Sequence, residues 1–421
     1  MHRLSGFLIA FVVLLLLDYY AFQGIRFLTK NMGSAPKLIV TIAYWLLTVI
    51  TIIGLIGLFG GLIERDNRFW RTVIFGSMFL NYFPKLILVL FVFTDDLQRF
   101  FRWIFQSTFS SETVVSPEAT NTITRSEFLL KTGVVAASIP FIGTSWGIIS
   151  GAHDYRVRKH TIYLPNLPKE FDGIQVAQIS DIHAGSFFNK TAVKGGIELL
   201  NKQKPDLVFF TGDLVNDKAS EVKDYIDVFN KVKAPLGTYS ILGNHDYGEY
   251  VEWSSPAAWK QNMNDLYTAH KELGWELLLN ENRHLTVDGA SIGLMGIENW
   301  GIGFAQYGDM KKTYAGMEEL PTKILLSHDP THWDAQVRHE FKDVDLTLAG
   351  HTHGMQMGVQ FGDWEWSPSK LRYKHWGGLY REGEQQLYVN RGYGYIGLPA
   401  RIGMPPEITI LTLKKGIQPT V

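Results

Sequence analysis

Residues 345–354 read DLTLAGHTHG. An apolar run of strand character closes on a glycine, and two histidines, His351 and His353, follow two positions apart. On extended chain, side chains at i and i+2 point to one side, so the stretch predicts a buried strand that presents two imidazoles at its end. Four earlier blocks have the same design. GIQVAQIS at 173–180 runs into Asp181 and His183, and PDLVFF at 205–210 leads through Gly212 to Asp213. GTYSIL at 237–242 delivers Asn244 and His245, and KILLS at 323–327 delivers His328.

Taken singly, each block has an ordinary reading. A Gly-Asp pair after a strand is usually a turn, and a lone buried histidine is usually a satisfied core residue. Five such blocks in order, each after an apolar run, call for a common cause. Strand ends converging on one edge gather two aspartates, one asparagine and five histidines. Carboxylate, amide oxygen and imidazole suit Mn, Fe or Zn ions, and there are enough of them for two divalent metals with open positions.

Around this core the chain divides in two. It has 421 residues with 40 Lys+Arg against 41 Asp+Glu, a net charge of −1 that excludes a nucleic-acid binder held by a large basic surface. Residues 1–150 carry only 12 basic and 8 acidic residues, whereas 151–421 carry 28 and 33, with twelve of the thirteen histidines. There is no cysteine, which removes disulfides, thiolate catalysis and cysteine metal sites together.

Four apolar segments lie in the first part, at about 4–22, 38–63, 72–94 and 132–151. Each is long enough to cross a hydrocarbon core of about 30 Å. The expected organisation is three transmembrane helices and an interfacial amphipathic helix in 1–106, a polar linker at 107–128, a fourth transmembrane helix at 129–151 and a catalytic domain at 152–421. The amphipathic helix is read from DDLQRFFRWIFQ at 95–106, where Leu97, Phe100, Phe101, Ile104 and Phe105 recur at helical spacing around Arg99 and Arg102. Two ionisable residues interrupt the spans. The favoured reading places Asp18 at the interface beside Tyr19 and Tyr20, and lets Lys85 snorkel from the Pro84 bend.

The five blocks, in their order and with their DxH, GD, GNHD, His and GHTH residues, resemble the calcineurin-like metallophosphoesterases over about residues 170–413. The tail residues Asn390–Gly394, Pro399–Arg401 and Pro405–Glu407 are similar to those of the membrane-associated bacterial branch typified by YkuE and YaeI, and of transmembrane proteins carrying this domain. The resemblance implies a four-layer α/β/β/α domain behind the membrane helices. It implies that Asp181, His183 and His353 hold one metal, that Asn244, His328 and His351 hold a second, and that Asp213 bridges them. His245 then faces the scissile phosphate and stabilises or protonates the leaving oxygen, and Asp246 orients His245 by a hydrogen bond.

The implied reaction is hydrolysis of a phosphoester or pyrophosphate by a hydroxide bridging the two metals. A lipid-linked substrate fits a membrane-tethered domain, and hydrolysis of UDP-2,3-diacylglucosamine is one activity within the resembling branch. The non-enzymatic alternative is a metallophosphoesterase fold used as a membrane scaffold or sensor. Two aromatic-rich segments bear on substrate. Residues 247–270 carry Tyr247, Tyr250, Trp253, Trp259 and Tyr267, and residues 361–380 carry Trp364, Trp366 and Trp376 among Lys370, Arg372, Lys374 and His375. Either they form a rim that touches the bilayer or they pin long loops.

Orientation is not decided by charge, because seven basic residues flank the spans on each side. TRSEFLLK at 124–131 resembles a twin-arginine export signal with Ser126 in place of the second arginine. Such a remnant before the fourth span favours a bacterial cell membrane with the catalytic domain outside the cytoplasm.

Overall fold

The computed structural model describes residues 2–63, 67–109, 124–362 and 364–418. They form two compact units, Met1–Trp146 and Gly147–Val421.

The first unit is helical. Its elements are α1 (His2–Leu28), α2 (Ser34–Phe59), α3 (Arg68–Phe109) and α4 (Arg125–Ile149). All four are long and apolar enough to cross a membrane. Large apolar side chains such as Leu16, Ile39, Ile53, Leu90 and Ile139 stay exposed, as lipid-facing residues do. The amphipathic stretch 95–106 is not a separate helix. It is the C-terminal part of α3, which continues as one helix through Phe109. The polar stretch 107–128 is likewise shorter than expected, because α3 takes its start and α4 begins at Arg125. The remainder of that linker, 110–123, lies outside the described residues, as does Arg65.

Asp18 and Lys85 overturn the interfacial reading. Both are buried, at 0% and 6% exposure, and they pair at 2.6 Å. Thr48 of α2 donates to Asp18 Oδ1 and accepts from Lys85 Nζ. Tyr82 donates to Asp18 Oδ2, and Lys85 Nζ sits 3.9 Å from the centre of the Tyr44 ring. The physical reason is that an ionised group in mid-span costs far less when an opposite charge and hydrogen-bond partners meet it.

The second unit has four layers. One six-stranded sheet contains β1 (Arg156–Leu164), β2 (Gln175–Ile179), β3 (Leu207–Phe210), β4 (Thr238–Ser240), β5 (Glu276–Leu277) and β14 (Glu407–Lys415), in the order β1-β14-β2-β3-β4-β5. The other contains β6 (Glu281–Val287), β7 (Ala290–Gly296), β8 (Lys323–Leu326), β9 (Leu346–Ala349), β12 (Gly378–Glu382) and β13 (Gln385–Val389), in the order β12-β13-β9-β8-β7-β6. A two-stranded ribbon pairs β10 (Val359–Phe361) with β11 (Trp364–Trp366).

Strand alternation assigns the layers. Leu207 and Phe209 of β3 join Ile324 and Leu326 of β8 in a core between the sheets. Val208 and Phe210 face the other way, onto Val193, Ile197 and Leu200 of α5 (Lys190–Lys202), Val228 and Phe229 of α6 (Ile226–Phe229), and Met263, Leu266 and Leu273 of α7 (Pro256–Leu273). On the far side Leu325, Ala349, Leu387 and Val389 pack under Met310 of α8 (Met310–Tyr314), Met317 and Trp333. Both faces of each sheet are thereby buried, which is why the central strands read as unbroken apolar runs. The α/β/β/α arrangement agrees with the sequence expectation.

Candidate metal centre

β2, β3 and β4 are parallel to one another, and so are β8 and β9. Their carboxyl ends lie at one edge, where ligands bind in open α/β sheets. The loops leaving them approach very closely. A Cβ on Gly350 would lie 2.0 Å from Ser180 Oγ, and one on Gly243 would lie 2.3 Å from Asp213 Oδ1. Only glycine lets these strand ends converge.

Two clusters result. Asp181, His183 and His353 form one, and Asp213, His328 and His351 the other. In the first, His183 Nε2 and His353 Nε2 are 3.0 Å apart and His353 Nε2 is 3.3 Å from Asp181 Oδ1. In the second, His328 Nε2 is 3.1 Å from Asp213 Oδ2, and His351 Nδ1 is 3.3 Å from His328 Nε2 and 2.9 Å from Asn244 Oδ1. Asn244 presents oxygen rather than nitrogen there because its Nδ2 donates to Tyr250 Oη at 2.8 Å. Asp213 Oδ2 also lies 3.5 Å from His183 Nε2, so one carboxylate borders both clusters.

The strand ends do not run straight on into the site. Asp181, His183, Asp213, His351 and His353 all have positive φ, between 49° and 70°, so none continues an extended strand. His351 and His353 therefore go to different clusters instead of one side. Such backbone costs about 1–3 kcal/mol per residue and persists where surrounding structure enforces it, characteristically at functional sites.

Electrostatics fit cations. Burial lowers the pKa of His183 to about 3 and of His351 to about 4, and pushes that of His353 well down. These imidazoles keep the neutral lone pairs that metal ligation requires. Burial and the nearby Asp213 raise Asp181 to about 6, although His328 opposes the rise. Burial disfavours charge on His328 too, but Asp213 and Asp181 overcome it and lift its pKa to about 10. Paired carboxylates and converging imidazole nitrogens within 3–3.5 Å form a donor set suited to divalent ions.

His245 is half-buried beside the clusters, its ring centre 5.0 Å from that of His183. Its Nδ1 donates to Asn216 O at 2.8 Å. The expected Asp246–His245 hydrogen bond is not made. Asp246 instead accepts four backbone N–H groups, from Asp213 and Gly243 at Oδ2 and from Leu214 and Val215 at Oδ1. A buried carboxylate ringed by converging amides is better used in bracing the loop than in reaching the imidazole.

The sequence assigned no role to the other supports. Arg401 is buried and donates to the carbonyls of Arg391, Gly392, Gly394 and His353, with Nη2 3.2 Å from His353 Nδ1. Tyr373 Oη lies 3.0 Å from His351 Nε2. The signal for Arg401 was there to be found: one charge inside the small and apolar stretch GLPARIGMPP. The tail motif has a role as well, since Tyr393 and Gly394 N–H groups donate to Ser180 O and Asp181 O.

The aromatic segments divide. Tyr247 is buried, and Trp253 and Trp259 donate to Gly248 O and Tyr247 O, so this loop is pinned by its aromatics. In the second segment Trp376 and His375 are buried, whereas Trp364 and Trp366 are exposed.

A two-sheet domain with strained carboxylate and histidine loops at one edge, preceded by membrane helices, defines a class. Residues 174–355 match the calcineurin-like phosphoesterase family, and residues 3–152 match the probable calcineurin-like phosphoesterase, transmembrane domain, family. The chain belongs to the calcineurin-like metallophosphoesterases and is a membrane protein of that family. It is 33% identical to the uncharacterized metallophosphoesterase YkuE of Bacillus subtilis (strain 168), over 67% of this chain and 94% of that one. It is 31% identical to the uncharacterized metallophosphoesterase Cj0846 of Campylobacter jejuni, over 61% of this chain and 63% of that one. A transmembrane protein with metallophosphoesterase domain from Danio rerio is 28% identical over 80% of this chain and 72% of its own length.

Proposed function

We propose that the protein is a membrane-tethered, two-metal phosphoesterase that hydrolyses a phosphoester or pyrophosphate, with a lipid-linked phosphate as substrate. The observation that carries this reading is the meeting of two three-residue clusters across one shared carboxylate, Asp213. Asp181, His183 and His353 would hold one divalent ion, and Asn244, His328 and His351 the other. Ions so held supply Lewis acidity toward phosphoryl oxygens and lower the pKa of bound water.

The chain's own groups do the rest. Asp213 Oδ1 accepts the His245 N–H at 2.9 Å and so fixes His245 relative to both clusters. With Nδ1–H committed to Asn216 O, His245 Nε2 would donate a proton to the leaving oxygen as the P–O bond to it breaks, while water oxygen forms the new P–O bond and its lost proton passes to solvent. Arg401 and Tyr393 hold the His353 and Asp181 loops against the strain of their positive φ. A lipid-linked substrate is supported by the four membrane-capable helices on the same chain.

The test is metal analysis with turnover. Purified protein is expected to hold two divalent ions per chain and to cleave a generic aryl phosphodiester, with activity lost on chelation and restored by Mn, Fe or Zn. Metal-free protein with full activity would overturn the reading. We place the catalytic domain outside the cytoplasm of a bacterial cell, supported by the export-signal-like segment that opens α4. A cysteine at Lys223, exposed in a chain without cysteine, should react with an impermeant maleimide in intact cells.

A further inference from the structure

The ribbon β10–β11 has two unlike faces. Its register pairs Val359 with Trp366, Phe361 with Trp364, and Gln360 with Glu365. Alternation puts the first four side chains on one face and the last two on the other. The polar face is tied down. Arg158 of β1 donates to Glu365 Oε1 at 2.7 Å and to Gln360 Oε1 at 3.3 Å, and Arg391 holds the second oxygen of Glu365. Arg391 in turn pairs with the buried Glu407 of β14 at 2.7 Å. The ribbon is therefore anchored through charge to the first sheet.

The other face is bare. Phe361 is 85% exposed, Trp364 59% and Val359 55%, and Trp366 is exposed as well. Leu371 follows at 84%, flanked by exposed Lys370, Arg372 and Lys374. Aromatic and aliphatic side chains projecting together, edged by cations, are costly in water and suited to a bilayer with anionic headgroups.

Position favours that occupant. The unit that contains the ribbon begins at Gly147, within the last turn of α4, a helix able to span a membrane. The Arg401 N–H donates to Gly147 O, Ile402 bridges to Met357, and Gly358 N–H donates to Ile402 O, immediately before β10. Arg158, the anchor of the ribbon, is nine residues past Ile149, a reach of about 30 Å at most. The segment after the ribbon returns to the metal centre, where Tyr373 meets His351.

We propose that the β10–β11 ribbon, with Leu371 and its flanking cations, inserts its aromatic face into an anionic lipid surface and holds the metal centre at the headgroup level. This deepens the lipid-phosphate reading, but the insertion itself can be tested apart from it. The full chain, reconstituted in phosphatidylglycerol-containing nanodiscs, is labelled with an environment-sensitive fluorophore at Phe361→Cys, at Trp364→Cys, or at Asp265→Cys on the exposed side of α7. Positions 361 and 364 should be quenched by nitroxide-bearing lipids and protected from aqueous iodide, and position 265 should show the reverse. Iodide quenching at 361 and 364 equal to that at 265 would overturn insertion.

A second arm uses Phe361→Asp. Turnover of a water-soluble phosphodiester should be unchanged, while turnover of a phosphate lipid in vesicles falls about tenfold or more. Equal rates of parent and variant on the vesicles would overturn the link between ribbon and substrate. Inactivity of the parent on every phosphoester would sink the functional reading and leave the quenching result to decide insertion.

Discussion

Asp18 and Lys85, on the first and third helices, meet in a 2.6 Å ion pair buried within the helical unit. Thr48 bridges the pair from the second helix, so three helices share one polar knot. Breaking a buried pair leaves an uncompensated charge, at about 3–5 kcal/mol. Asp18→Asn and Lys85→Met should each lower the unfolding midpoint of the detergent-solubilised protein. The double variant should lose less than the sum of the two, because neither charge is then stranded. Strict additivity in the double-mutant cycle would show that the pair does not couple the helices.

At the metal centre Asp213 and His245 should separate by readout. Asp213→Asn removes the charge that borders both clusters, and is expected to lose bound metal and activity together. His245→Ala should retain metal, because its ring belongs to neither cluster, and should lose about 100-fold or more in turnover. Metal analysis beside phosphodiesterase assays distinguishes them. Full metal occupancy in Asp213→Asn would count against the bridging role.

Asp246 is expected to act on the loop and not on the imidazole. Its four accepted N–H groups are buried, and Asp246→Ala strands them at about 1–3 kcal/mol each before relaxation. Lower stability and lower metal occupancy should accompany the loss of activity. Were Asp246 only a partner for His245, turnover would fall while stability and metal content stayed at parent values.

His270, which belongs to neither candidate cluster, supplies a pH dependence of its own. It is fully buried beneath Trp275 with Nδ1 3.0 Å from Ser240 Oγ, and burial lowers its pKa to about 3. An unfolded histidine titrates near pH 6.5, so as pH falls below that value the unfolded chain takes up a proton that the folded one refuses. The contribution is present above about pH 6.5 and is lost on acidification toward about pH 3, at about 1.4 kcal/mol per pH unit. His270→Gln should flatten the stability–pH slope by about one proton in that window. An unchanged slope, measured by denaturant unfolding at several pH values, would rule the residue out as its source.

Much of the candidate centre was legible because its residues follow strands directly. An apolar run of five or six residues announces a buried strand, and the polar residues just after it must emerge at the sheet edge. Asp181, His183, Asp213, Asn244, His328, His351 and His353 were singled out in this way as candidates. Less legible were the residues that brace them from far along the chain. Arg401 touches the His353 loop from 48 positions away, and no local pattern pairs an arginine with a set of carbonyls. The Asp18–Lys85 pair was misread for the same reason, since hydropathy marks a charge as costly without showing what meets it.

Local chemistry in the chain was enough to determine four apolar helices, a layered α/β domain and the kinds of atom that gather at its edge. Periodicity and composition act over a few residues, and those features are set at that range. Only tertiary structure decided which backbone turns left-handed at the site, where the Asp246 carboxylate goes, and which tryptophans face water. Each of these turns on backbone passing through left-handed φ, or on partners tens to hundreds of residues apart. Such choices are made when sheets and loops close on one another, and the sequence pattern carries no trace of them until they do.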